Sequence, residues 1–229
     1  MSKLKTVSKF PTSAPMQSLV RITPKNDSQA AYIDEMEANN IVFCGGPAGC
    51  GKTFLSTLLA IRMYQTKAIN KIVLVRPAVE ACGEKLGFLP GDLLDKMDPF
   101  LCPIFDAMNE VWQDERIKEM IEEKIIDIVP LGYMRGRTFR HSFVITDEAQ
   151  NMSEDQMIML LTRIGEGSKM VISGDESQND LGTRSKSGLQ KGLKLAGKIP
   201  GIGSFMFKKS DSVRHALIGQ ILEEWENLG

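Results

Sequence analysis

The sequence predicts an α/β protein whose mostly parallel sheet carries helices on both faces. Three observations point there: short apolar runs recur along the chain, helical stretches separate them, and a glycine-rich turn joins the first run to the helix behind it. At 229 residues the chain is long enough for one well-filled domain and short for two.

Taken in order, residues 1–26 mix Lys, Ser, Thr and Pro with little periodicity and read as an N-terminal arm, with the domain over 27–229. "SQAAYIDEME" predicts a helix with Ser28 as its cap, and "NNIVFCGG" a buried strand stopped by glycine. A helix follows over Lys52 to Gln65, then the strand "KIVLVRP". "GDLLDKMDPFLCPIFDAMNEVW" is helical with a proline interruption, and "DERIKEMIEEK" is a second helix. The runs "IDIVPL", "SFVITDEAQ" and "SKMVISGDE" predict strands. "SEDQMIMLLTRIG" and "GLQKGLKLAG" predict helices, and "GSFMFKK" with "DSVRHALIGQILEEWENLG" a closing strand and helix.

Composition removes several classes. Hydrophobic residues at 42% and charged residues at 25% are ordinary for a globular chain. A run of about 18 apolar residues is missing, as is an apolar leader, so the expectation is a cytoplasmic protein with no membrane partner. The four cysteines form no C-x-x-C pair and only two histidines are present, which leaves a zinc site without ligands. With a formal net charge of −1, contact with a polyanion needs a local patch.

The glycine-rich turn is Gly46-Pro47-Ala48-Gly49-Cys50-Gly51-Lys52-Thr53, a full match to G-x-x-x-x-G-K-[ST]. Glycines let successive N–H groups point inward around phosphates, and the next helix adds the positive end of its dipole. In this pattern Lys52 reaches the β- and γ-phosphates of ATP and the Thr53 hydroxyl binds Mg²⁺. Phe54 follows directly and joins the binding set. "FVITDEAQ" supplies the acids: a strand delivers Asp147 to hold Mg²⁺ and Glu148 to orient and deprotonate the attacking water. A third strand ends in Gly174, Asp175 and Gln178, either sensors of the γ-phosphate or a capped helix start.

Together "GPAGCGKTFL", "RPAVEACGEKLGFLPGDL", "PLGYMRGRTF", "ITDEAQN", "LTRIGEGSKMVISGD", "ESQND" and "SDSVRHALI" resemble the PhoH-like ATPases, over about Gln29 to Arg214. That family is similar to the first RecA-like domain of superfamily 1 helicases. The resemblance implies a RecA-like P-loop NTPase fold, Gln29 as the reader of the adenine edge, and Gln178 in the element coupling hydrolysis to movement. It also marks Cys50 as a departure from a usual threonine, placing a thiol beside the nucleotide, and Cys82 as an extra residue.

Helicases of the similar superfamily take a catalytic arginine from a second RecA-like domain, which this sequence lacks. A neighbouring copy is the expected source, hence a homo-oligomeric, hexameric ring with ATP at its interfaces. The candidates are Arg135, Arg137, Arg163, Arg184 and Arg214, with Arg214 favoured as a catalytic residue at the start of the last helix. "YMRGRTFRH" mixes arginines with Tyr133 and Phe139, which suits RNA or single-stranded DNA, and equally a solvated charged face or interface packing. The rival reading is a nucleotide-gated interaction module without turnover; Glu148 argues against it, because a module that only binds needs no base.

Overall fold

A computed structural model describes residues 18–77, 93–178, 187–214 and 216–227. The segment around Cys82, and Arg184, lie outside the described residues. The order of elements is α1 (Asp27–Ala38), β1 (Ile41–Gly45), α2 (Lys52–Gln65), β2 (Lys71–Arg76), α3 (Leu93–Asn109), α4 (Asp114–Glu122), β3 (Ile126–Pro130), β4 (Ser142–Thr146), α5 (Glu154–Leu161), β5 (Lys169–Gly174), α6 (Gly188–Leu193), β6 (Ile202–Met206) and α7 (Ala216–Asn227). The strands form a 6-stranded sheet in the order β3-β2-β4-β5-β1-β6, and every pairing is parallel.

Period-two alternation explains the two layers of helices. Val42 and Cys44 of β1, with Ile72, Leu74, Phe143 and Ile145, face a core shared with Tyr32, Leu59, Ile104 and Ile117 from α1 to α4. Their neighbours Ile41, Phe43, Val73 and Val144 face a second core with Met157, Leu160 and Leu189 of α5 and α6. Each large side chain buried this way contributes about 1.5–3 kcal/mol. Both faces are therefore covered, and the strand ends are what remain for chemistry.

Gly192 shows how tightly α6 sits on the strand that precedes the glycine-rich turn. A Cβ there would lie 2.2 Å from Cε1 of Phe43. Alanine normally gains about 1 kcal/mol over glycine within a helix. Forcing a methyl group against a buried ring costs about 1–3 kcal/mol, so the clash wins. Gly192→Ala is expected to lower the urea midpoint of unfolding; a raised midpoint would mean that α6 stands off the sheet.

Three local expectations are corrected. Asn26 caps α1, its side chain accepting from Gln29 N–H, while Ser28 lies within the helix. α3 runs through Pro99 and Pro103 without a break; its buried Leu101, Ile104 and Met108 pack in the same core as α2, and that burial offsets the lost hydrogen bonds. The arm also ends earlier than residue 26 in packing terms. Val20 and Ile22 already lie against the core, and Val20 N–H donates to Gln65 Oε1 at 2.8 Å.

Candidate functional site

Strands β4, β5 and β1 are adjacent, so their carboxyl ends bring together three segments that are distant in sequence: 147–148, 174–178 and 46–53. This is where open parallel sheets place ligands. The resulting cleft, ≈300 Å³, is lined by Ala48, Gly49, Gly51, Lys52, Thr53, Phe54, Pro103, Asp147, Glu148, Gly174, Asp175, Gln178 and Arg214.

The glycine-rich turn forms one wall. Gly51 caps α2 with φ 88° and no side-chain cap bond, which leaves the first-turn N–H groups for an anion. The Lys52 ammonium donates to the carbonyls of Gly46 at 2.6 Å and Pro47 at 2.8 Å, holding its charge inside the curve of the turn. From behind, Val213 N–H donates to Gly49 C=O at 3.0 Å and ties the segment after β6 to the turn.

The acids form the opposite wall. Asp147 is buried, with Oδ2 accepting from the Thr53 hydroxyl at 3.0 Å and Oδ1 accepting from the Ser173 hydroxyl and from Glu148 N–H, each at 3.0 Å. Glu148 adopts a left-handed backbone, φ 55° and ψ 35°, a conformation that costs a non-glycine residue about 1–3 kcal/mol and gathers at functional sites. Its Oε2 accepts from Gln150 Nε2 at 2.6 Å. Asp175 closes a turn on itself, accepting from Ser177 N–H, the Ser177 hydroxyl and Gln178 Nε2 at 2.7 to 3.1 Å.

Thr53, Asp147, Glu148, Lys52, Phe54 and Gln178 thus converge on the cleft. Gly46, Pro47 and Cys50 belong to the turn but do not line the cleft. Two side chains are elsewhere. Gln29 is buried behind the turn, its Oε1 accepting from Lys25 N–H at 2.8 Å and its Nε2 donating to Cys50 C=O at 3.0 Å. A carboxamide committed to two main-chain partners braces the turn, so the expected adenine-edge role does not match this placement. The Cys50 thiol also points away from the cleft, toward Lys208 C=O at 3.8 Å. It joins the apolar core, and burial raises its pKa.

A buried, protonated thiol reacts slowly. Alkylation at neutral pH is therefore expected to label the exposed Cys102 and to spare Cys50 until the chain is unfolded. Peptide mapping showing Cys50 modified as fast as Cys102 would place that thiol at the surface.

The arginines separate as well. Arg137 pairs with Asp127 and stacks over Phe139 at 5.2 Å. Arg163 donates to Met159 C=O and Arg137 C=O. Both are held by partners in their own chain and neither lines the cleft. Arg135 is exposed. Arg214 precedes α7 and lies across Gly49 of its own chain, where a Cβ would meet its Cγ, Cδ and Nε at 2.5 to 2.6 Å. Gly49, with φ +86°, makes room for that stem. The fold places Arg214 along the cleft of its own chain.

Sequence reasoning missed Ser173, Pro103 and Gln150. Ser173 faces Cys44 across the β5–β1 pairing, and Pro103 reaches the cleft through α3. Gln150 had a signal, being a polar residue just past the acids.

An all-parallel sheet with this turn at the end of β1 and an acidic pair at the end of β4 defines a P-loop nucleoside-triphosphatase fold. The model of the family described as PhoH-like protein matches residues 21–226, and the chain belongs to that family. It is similar to PhoH-like proteins of Bacillus subtilis, 47% identical over 90% of this chain and 64% of the relative, and Synechocystis, 45% identical over 90% and 62%. It is also similar to Protein PhoH of Escherichia coli, 36% identical over 89% and 58%. The chain thus spans about three-fifths of the length of these relatives. Among the described residues no helix is long and apolar enough to cross a membrane.

Proposed function

We propose that the chain is a Mg²⁺-dependent ATPase whose turnover is coupled to remodelling of RNA or single-stranded DNA. One observation carries the ATPase reading: the Thr53 hydroxyl and the Asp147 carboxylate stand 3.0 Å apart at the mouth of the glycine-rich turn, with Glu148 on the same cleft. Oxygen-only donors of this kind suit Mg²⁺, which takes few protein ligands and fills its shell with water and phosphate oxygens. Thr53 and Asp147 would hold it, and it would neutralise charge on the phosphates. Around them the turn and the α2 N-terminus bind the phosphates, and Lys52 adds a positive charge. Glu148, half-buried, accepts the proton of the attacking water.

Support for a polymer substrate is local. Tyr133 is 70% exposed beside exposed Arg135, on the turn that follows β3 at the same edge of the sheet, a pairing suited to stacking and phosphate contact. Self-association in a ring, the hexamer of the sequence reading, is supported by apolar side chains exposed along α7: Ile218, Ile221 and Trp225. Steady-state ATP turnover measured with and without single-stranded RNA or DNA, alongside mass in solution, tests all three parts. Tight ATP binding with no turnover would favour the nucleotide-gated module.

A further inference from the structure

Gln150 is wholly buried, yet both polar atoms of its carboxamide are hydrogen-bonded. Nε2 donates to Glu148 Oε2 at 2.6 Å and to Gln178 C=O at 3.2 Å, while Oε1 accepts from Asp175 N–H at 3.0 Å. This network admits one orientation of the carboxamide. Turned over, Oε1 would face two acceptors and Nε2 a donor. Space is reserved for it too: a Cβ on Gly174 would lie 2.5 Å from Gln150 Oε1.

The two protein segments it joins differ in how firmly they are held. On its own side the backbone is anchored by buried Ala149 and Met152, and Met152 C=O accepts from Gly188 N–H at 2.7 Å. On the other side, one side-chain bond, from the Ser187 hydroxyl to Glu176 Oε1 at 3.1 Å, ties the turn to the start of α6, Ser177 and Gln178 are exposed, and the Asp175 carboxylate ties 175–178 into one unit. The carboxamide grips that unit at both ends, through main-chain groups of Asp175 and Gln178. A displacement of the turn is thus passed to whatever else the carboxamide holds, and that is the carboxylate of Glu148.

We propose that Gln150 is a positioning residue that makes the placement of Glu148 depend on the 175–178 turn, so that contacts made by Gln178 in the cleft gate the base. The inference rests on the ATPase reading for its catalytic consequence, and on the hydrogen bonds alone for the linkage. Gln150→Met keeps the volume and removes the bonds. It is expected to lower kcat about tenfold or more, as loss of a hydrogen bond to a charged group does, with KM for ATP little changed and the melting temperature lowered by the unpaired Asp175 N–H. Gln178→Ala should lower kcat in the native background and add nothing in the Gln150→Met background, since linked residues do not act independently. Multiplying effects, or an unchanged kcat in Gln150→Met, would overturn the proposal.

Hydrogen exchange at the Asp175 amide needs no turnover and separates the two readings. It should quicken in Gln150→Met and, through the freed carboxamide, in Glu148→Ala. If the native protein fails to hydrolyse ATP but exchange responds in both variants, the ATPase reading falls and the linkage stands. Exchange unchanged in both variants sinks the linkage whatever the turnover.

Discussion

Glu148→Gln is expected to reduce ATP turnover by about 10²- to 10⁴-fold, the usual contribution of a positioned general base, while ATP binding persists. The amide is nearly isosteric and cannot take a proton from water. Binding is expected to survive because the phosphate-facing wall is built from the turn and from Lys52, whose ammonium is held by the carbonyls of Gly46 and Pro47. The strained backbone at Glu148 aims the carboxylate, and the same strain makes substitution by glycine a poor control, since glycine would relax it. Nucleotide affinity from fluorescence titration, set beside steady-state turnover, checks the split. Equal losses in both would make Glu148 a binding residue.

Arg214→Gln is expected to lower turnover by about 10³- to 10⁵-fold if its guanidinium meets charge developing on the transferred phosphoryl group. Its aliphatic stem already rests on Gly49 and its side chain lines the cleft that holds Glu148. Mixing separates this arrangement from one with the arginine delivered by a neighbour. With Arg214 and Glu148 serving one cleft, a mixture of Arg214→Gln and Glu148→Gln proteins has no complete site and recovers no activity. Recovery toward about a quarter of native turnover, the most that random co-assembly of two such variants gives, would show that the arginine crosses between copies. Arg214→Lys keeps the charge but loses the planar fork, so partial activity there would assign the effect to charge.

Local chemistry explains what could be read without coordinates. The turn from Gly46 to Thr53 is contiguous, and glycine takes its positive φ at Gly46, Gly49 and Gly51 without the cost a side chain would bring. The acids follow a strand whose five residues are all buried, so an apolar run followed by charge marks the carboxyl edge directly. The four inner strands were legible for the same reason, their middles being apolar and covered on both faces, whereas the edge strands β3 and β6 are only partly buried. The prolines of α3 misled because breaking propensity is a local term, and packing against α2 outweighs it.

The site's remaining parts depended on which strands lie side by side and which way each side chain turns. Sequence alone determined that a phosphate-binding turn and an acidic pair exist, because both are properties of neighbours along the chain. Only the tertiary structure decided that β5 lies between them, which brings Ser173 to Asp147 and the 175–178 turn to Gln150. It also decided that Gln29 and Cys50 face the core and that Arg214 folds back onto its own turn. A side chain's partner is set by the chain segment the fold lays against it, and residue type and spacing carry no record of that.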